Sequence, residues 1–259
     1  MTEITVVLPT YNEAENIAEA VSRITAALGA APHEIIVADD DSPDLTWRKA
    51  QELAAQYPNL KVLRRTTDRG LYPAVMDGFA AASGKYLAVM DADLQHDEKI
   101  LPAMLEKARA GAGLVIASRY TEGGGISGWN TTRLLISQTA NRLAGMLLKR
   151  RSTDLMSGFF IVERAAFEKA RPALKPKGFK ILMDILQNLP DGTVVTEAGY
   201  VFRPRTAGES KISLKVAWQA AAGLGELSMG RVNFILLLVA LGLFLLAAAG
   251  KILRLAGLW

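Results

Sequence analysis

Tyr86-Leu87-Ala88-Val89-Met90-Asp91-Ala92-Asp93-Leu94-Gln95-His96 is the stretch that decides how the chain is read. Five apolar residues end abruptly in two carboxylates one residue apart. Burying a carboxylate at a strand end is costly unless a cation or hydrogen bonds compensate. At the carboxyl end of a strand in an α/β protein, however, ligands bind. Asp91 and Asp93, with an amide oxygen at Gln95, are hard donors suited to Mg²⁺ or Mn²⁺, and that cation suits a diphosphate. The bland alternative is a turn in which the Asp residues cap the following helix.

The flanking sequence settles what kind of strand this is. Ile4-Thr5-Val6-Val7-Leu8 reads as a buried strand stopped by Pro9, and residues 13–28 follow with Ile17, Val21, Ile24 and Leu28 at helical spacing. Glu34–Ala38 is a second strand, residues 45–56 a helix and Leu60–Leu63 a third strand. A helix from about Ala74 to Ala82 leads into Tyr86–Met90. Ile100, Leu101, Met104, Leu105 and Ala108 mark another helix, and Gly113–Ser118 another strand. Five βα alternations imply right-handed crossovers and a largely parallel sheet with helices on both sides. Three strand ends carry polar residues: Pro9-Thr10-Tyr11-Asn12-Glu13, Asp39-Asp40-Asp41-Ser42 and Asp91-Ala92-Asp93. In a parallel sheet these ends share one edge, so the acidic residues converge on one cleft. That favours a metal–nucleotide site over a capped turn.

Composition removes other chemistries. The chain of 259 residues has no cysteine, which excludes disulfides, thiolate catalysis and Cys-based metal sites, and only two histidines, His33 and His96, which excludes a multi-His zinc centre. A net charge of +4 fits anionic partners such as nucleotides, lipid phosphates or a membrane surface without choosing among them. The amino terminus has no basic region ahead of its first apolar run, so no secretory signal is expected.

The second half is less regular. Gly123-Gly124-Gly125-Ile126-Ser127-Gly128 matches G-x-G-x-x-G, but the dinucleotide fingerprint belongs in the turn after the first strand, which here lacks glycine. A mobile glycine-rich lid is expected instead. Residues 131–148 read as a helix with Arg133, Ser137 and Asn141 on one stripe; spacing alone makes this a solvated face. Ser157–Val162 is a further strand, a helix opens near Lys177–Ile181, and Thr193–Phe202 holds two short strands. From Ile212 the pattern suits a helix lying on a membrane surface, with Lys211, Lys215 and Trp218. Residues 232–250 contain one polar side chain, Asn233, and no charge. At about 1.5 Å per residue they reach roughly 28 Å, close to a bilayer core. The expected organisation is a catalytic domain over 1–210, an interfacial helix over 211–230 and a membrane span over 231–255.

These motifs together resemble the inverting GT-A glycosyltransferases of family 2, and most closely the polyprenol-phosphate (dolichol-phosphate) mannose synthases. The resemblance rests on Leu8–Glu13, Asp39–Asp44, Gly70-Leu71, Met90–His96, Ala117–Tyr120 with its glycines, Asp154–Phe160, Gly178–Lys180 and Arg205–Lys211, in the family's order. Asp41 and Leu45 stand where that family often has smaller residues. The resemblance implies a GT-A, Rossmann-like sheet and assigns roles by position. Pro9, Tyr11, Glu13, Val37 and Asp39 hold the base and ribose. Asp91, Asp93 and Gln95 bind Mg²⁺ or Mn²⁺, with Ala92 beside the sugar. Arg119, Arg133 and Ser137 receive the acceptor phosphate, and Arg205 and Lys211 close over the donor phosphates. The stripe on 131–148 thereby becomes functional.

The implied reaction is transfer of a hexose, mannose from GDP-mannose above others, to a polyprenyl phosphate. An ionised phosphate needs no base, and the chain offers no histidine placed as one. The expected partners are the sugar nucleotide, the lipid phosphate and the membrane, with no nucleic acid; oligomeric state is open. A single carboxy-terminal span and soluble sugar nucleotides put the catalytic domain on the cytoplasmic side. Two other readings are a glucosyltransferase using UDP-glucose, or transfer to a sugar hydroxyl with Asp154 or Asp184 as base. A non-catalytic nucleotide-sugar-binding membrane subunit is a third.

Overall fold

In the computed structural model, residues 1–128, 134, 137–139, 141, 145, 150, 152–175 and 181–204 are described. They form a seven-stranded sheet in the order β3-β2-β1-β4-β7-β5-β8. The strands are β1 Ile4–Thr10, β2 His33–Asp39, β3 Leu60–Arg64, β4 Tyr86–Val89, β5 Leu114–Ser118, β7 Phe160–Glu163 and β8 Val195–Gly199. All run parallel except β7, which is antiparallel to both β4 and β5. The helices are α1 Ile17–Leu28, α2 Thr46–Ala54, α3 Leu71–Ala81, α4 Leu101–Arg109, α5 Arg164–Ala170 and α6 Ile181–Asn188.

The sheet separates two apolar cores, and strand alternation divides the side chains between them. Ile4, Val6, Leu8, Ile35 and Val37 face one side, packed by α1 and α4; Val7, Ile36 and Ala38 face the other, packed by α3, α5 and α6. The helix spacing seen in the sequence is realised: Ile17, Ala20, Val21, Ile24 and Leu28 are the buried stripe of α1.

Four differences from the sequence reading have physical causes. First, β1 continues through Pro9 to Thr10. Val7 accepts from the Met90 amide on the β4 side, and Pro9 would face the same neighbour, but β4 has ended at Val89. A proline is tolerated where the ladder asks for no N–H. Second, α3 starts at Leu71 rather than Ala74, with Pro73 in its first turn, where an amide has no intrahelical partner to lose. Third, the antiparallel direction of β7 was not foreseen, because an apolar run carries no sign of direction. Fourth, the glycine-rich segment is not simply a lid. Gly125–Ile126 forms β6, paired in parallel with β9 Val201–Phe202, and the Gly125 and Ser127 amides donate to the Tyr200 and Phe202 carbonyls at 3.0 and 2.9 Å.

Among the described residues no helix is long and apolar enough to cross a membrane. The expected interfacial helix and span, with Arg133, Arg205 and Lys211, lie outside the described residues.

Candidate active site

The carboxyl ends of β1, β2, β4 and β5 lie along one edge of the sheet. Register pairs Thr10 with Asp39 and Asp39 with Arg64, and Val7 with Val89, so the three polar strand ends are neighbours. The antiparallel β7 adds a second supply. It enters the sheet beside Val89 and Ile116 at Phe160, so the residues before it, Asp154–Phe159, arrive at this same edge.

The middle of the edge is Asp91-Ala92-Asp93-Leu94-Gln95. Asp91 leaves β4 with its side chain 40 % exposed, while Ala92 is buried. Asp93 Oδ1 accepts the Gln95 amide at 3.1 Å, closing a turn in which Leu94 takes a φ of 62°. The cap of the 3₁₀ turn that follows is Asp97, which accepts from the Lys99 amide. Helix capping therefore does not explain Asp91 and Asp93. The Gln95 Nε2 donates to the Arg203 carbonyl at 2.9 Å, which keeps the amide oxygen as the acceptor on offer. Gly158 lies against Asp91: a Cβ there would stand 3.0 Å from Asp91 Oδ2. Among the described residues there is no group of three or more His, Cys, Asp or Glu side chains suited to a metal. Two carboxylates and one amide oxygen fit Mg²⁺ or Mn²⁺, which prefer oxygen and complete their shells with phosphate and water.

On the β1–β2 side, Asp39 is fully buried and ties two segments together. Its Oδ2 accepts from Thr10 Oγ1 at 2.8 Å and Ser42 Oγ at 2.7 Å, and its Oδ1 from the Ser42 amide at 2.8 Å. The turn after β2 then pins the segment after β1. Asn12, Glu13 and Ala14 amides donate to Ser42 Oγ, Thr46 Oγ1 and Asp44 Oδ2 at 3.0, 2.9 and 3.0 Å. Pro9 is half-buried, Tyr11 is exposed, Glu13 is buried and bonded by Asn16 Nδ2 at 2.8 Å, and Val37 is wholly within the core. Arg65, itself buried, joins this side to α3. It bonds Asp40, Asp77 Oδ2 at 2.6 Å and the Asp68 carbonyl at 2.6 Å, and Asp40 Oδ2 accepts the Gly70 amide at 2.7 Å. Burial pushes the Asp40 carboxyl above its ordinary value, against the pull of Gly70 and Arg65. Asp41 and Leu45, which depart from the family pattern as Tyr72-Pro73 and Leu155 also do, have φ of 54° and 62°. They hold left-handed conformations that smaller residues reach at less cost.

On the β5 side, Arg119 follows the strand and is gripped by Asp154, which is 0 % exposed. Asp154 Oδ2 accepts from Arg119 Nε at 2.7 Å and its amide at 3.1 Å, and Oδ1 accepts from Nη2 at 2.8 Å. Burial works against the Arg119 cation, but the Asp154 carboxylate more than offsets it and holds the group above its ordinary pKa. The guanidinium also lies 5.3 Å from the Tyr120 ring and 5.6 Å from the Phe202 ring. Tyr120 and Ser137 hydroxyls meet at 2.8 Å. Asn141 is buried, bonds the Thr153 carbonyl and accepts the Leu155 amide at 2.9 Å. Asn141 is thus turned inward, and half-buried Ser137 meets Tyr120 rather than standing free on a solvated face.

The structure brings together Pro9, Tyr11, Glu13, Asp39, Asp91, Ala92, Asp93, Gln95, Arg119 and Ser137 along this edge. Sequence reasoning missed Arg65, Gly158 and Tyr200, and weighed Asp154 only as a base. No local periodicity marks them; the Asp154–Phe160 motif was the one signal that could have raised Gly158.

The comparisons with known proteins agree with this geometry. Residues 5–171 match the family model described as "Glycosyl transferase family 2". The chain is 44 % identical over 219 residues to a dolichol-phosphate mannosyltransferase of Pyrococcus furiosus, covering 84 % of this chain and 61 % of that protein, so the match leaves over a third of that relative unspanned. It is 37 % identical over 234 residues to a dolichol-phosphate mannosyltransferase of Saccharomyces cerevisiae, covering 87 % and 86 % of the two. Two solved structures share the GT-A fold. Mannosyl-3-phosphoglycerate synthase from Rubrobacter xylanophilus superposes with a TM-score of 0.63 at 20 % identity, over 87 % of this chain and 73 % of that one. A mannosyltransferase from Pyrobaculum calidifontis, in complex with GDP-Man and Mn²⁺, gives 0.59 at 19 % identity, over 95 % and 75 %. With the sheet order, the polar edge and the family match in agreement, the chain belongs to glycosyl transferase family 2.

Proposed function

We propose that this glycosyltransferase moves mannose from GDP-mannose to a dolichyl-type polyprenyl phosphate, with inversion at C1, at the cytoplasmic face of a membrane. The relatives named for this activity support the reading, as does the GDP-Man and Mn²⁺ bound by one structural neighbour. The observation that carries it lies in the site. The two carboxylates weighed above as a base for a hydroxyl acceptor are both engaged. Asp154 is gripped by Arg119, and buried Asp184 accepts from Tyr72 OH and the Lys175 amide, each at 2.7 Å. An ionised phosphate acceptor needs no base.

Pro9, Tyr11 and Glu13 form the wall for base and ribose. Val37 and Asp39, both buried, support that wall from beneath. Asp91, Asp93 and Gln95 would hold Mg²⁺ or Mn²⁺, which when bound neutralises the charge growing on the departing diphosphate. Ala92 lies beside the sugar. Arg119, with Arg133 and Ser137, clamps the acceptor phosphate and sets its oxygen in line with C1. Asp154 fixes the Arg119 fork so that orientation is not lost to side-chain motion. Arg205 and Lys211 close over the donor phosphates. Residues 231–255 anchor the domain beside a lipid whose tail stays in the bilayer, with 211–230 on the surface.

The test is transfer of labelled hexose into polyprenyl phosphate from GDP-mannose and from UDP-glucose, by the wild type and by Asp93→Ala. Mannose transfer, β-linked from the α donor and abolished by EDTA and by Asp93→Ala, is expected. An α-linked product, a preference for UDP-glucose, or transfer unchanged in Asp93→Ala overturns the proposal.

A further inference from the structure

His96 adjoins the Asp91–Gln95 set, yet no step described so far uses it. It is 3 % exposed. Phe159 and Phe202 meet it edge-on, with ring centroids at 5.4 and 5.5 Å, and Tyr200 stacks against it at 5.6 Å. Its polar atoms are both engaged. Nε2 is 3.2 Å from Asp91 Oδ2, and Nδ1 is 3.0 Å from Tyr200 OH. A histidine serving only as core filler has no need of a contact with a carboxylate that is itself 40 % exposed.

The proton positions follow from the chemistry of the three groups. Ionised Asp91 can only accept, so Nε2 carries a proton. In a neutral ring Nδ1 is then an acceptor, and the neutral Tyr200 phenol donates to it. Tyr200 stays neutral because burial pushes its phenol up. Asp91, His96 and Tyr200 form a directed relay that runs from the metal edge into the aromatic core. The relay is held at its far end. Tyr200 sits between β8 and β9, its amide bonded to the Ser118 carbonyl at 3.1 Å. The next turn is stapled to the same loop: the Arg203 amide meets the Gln95 carbonyl at 2.9 Å, and Arg203 Nη2 pairs with Asp97 Oδ1 at 2.8 Å.

We propose that His96, with its tautomer set by Tyr200, is a positioning residue that fixes the Asp91 carboxylate through Oδ2 and presents Oδ1 to the divalent cation. The alternative for Asp91, half in solvent, is free rotation among rotamers, and a hard ion that demands near-ideal geometry pays for that disorder in affinity. Gly158 leaves room beside that same oxygen, since a Cβ there would stand 3.0 Å from Asp91 Oδ2. This inference rests on the metal reading made above.

The experiment measures Mn²⁺ uptake by electron paramagnetic resonance on the full chain in detergent with GDP present, with thermal melting as the folding control. Against the wild type, His96→Phe keeps the ring volume but removes the donor, and is expected to weaken Mn²⁺ binding about tenfold. His96→Gln places an amide N–H where Nε2 was, and is expected to bind within about threefold of the wild type. Tyr200→Phe is expected between the two. Asp93→Asn separates the two readings. If Asp93→Asn abolishes uptake while His96→Phe binds like the wild type, the positioning role is overturned and the metal reading stands. If the wild type takes up no more Mn²⁺ than Asp93→Asn, both fall. Equal weakening in His96→Phe and His96→Gln, with melting unchanged, also overturns the role, because the donor would then be irrelevant.

Discussion

Asp154→Asn isolates the Arg119 fork. Asp154 is 0 % exposed and the Arg119 side chain only 9 %, so little water can reach the pair to replace a lost partner. The carboxylate accepts three N–H groups from one residue: the Arg119 amide, Nε and Nη2. Asparagine keeps the shape but has one acceptor oxygen, so its NH₂ is set against an N–H of the fork, and the guanidinium charge loses its counter-ion. Breaking a buried pair from one side costs about 3–5 kcal/mol. For a domain of this size each kcal/mol lowers the melting temperature by about 2–4 °C, so a fall on the order of 10 °C is expected. The assay is thermal melting of the full chain in detergent by circular dichroism, alongside transfer. The double variant Arg119→Met with Asp154→Leu removes both charges and should recover most of the lost stability while remaining inactive. A single variant that melts within about 2 °C of the wild type would refute the reasoning, since that is under 1 kcal/mol. So would a double variant whose loss is the sum of the two single ones.

Two further perturbations follow from the same description. Burial alone raises the Glu34 carboxyl, but hydrogen bonds from Lys61, Thr5 and Ser83 outweigh it and lower the pKa from 4.5 to about 2. A depressed folded-state pKa gives stability that is complete above pH 4.5 and lost as the pH falls from there toward 2, so Glu34→Gln should lower the urea midpoint at pH 7 and flatten its acid limb. An acid limb as steep as the wild type's would discard this assignment. Gly158→Ala puts a Cβ 3.0 Å from Asp91 Oδ2, and the carboxylate must shift by a few tenths of an ångström. The Mn²⁺ concentration for half-maximal transfer should rise about tenfold with little change in melting temperature; an unchanged metal titration would show that the cradle is not needed.

Much of the fold was legible because its signals are local. Ile17, Val21, Ile24 and Leu28 recur at helical spacing whatever their surroundings, and each buried strand announces itself by composition. The convergence of Thr10, Asp39 and Asp91 was also legible, since parallel strands joined by helices must end on one edge. Asp39 was legible as a polar strand end but not in the contacts it makes. Only the folded chain shows both its oxygens taken by Thr10 and Ser42.

What the sequence by itself determined is the alternation of strand and helix, the polar edge with Asp91, Asp93 and Gln95 at its centre, and the absence of thiol or multi-histidine chemistry. What only the tertiary structure decided is which distant residues meet at that edge. Asp154 reaches Arg119 across 35 positions, and Tyr200 reaches His96 across 104. Both contacts depend on strand order: β7 runs backward between β4 and β5, and β8 pairs beyond β5. Strand direction and neighbour choice come from packing both faces of the sheet at once, an energy summed over distant residues that no local window of sequence contains.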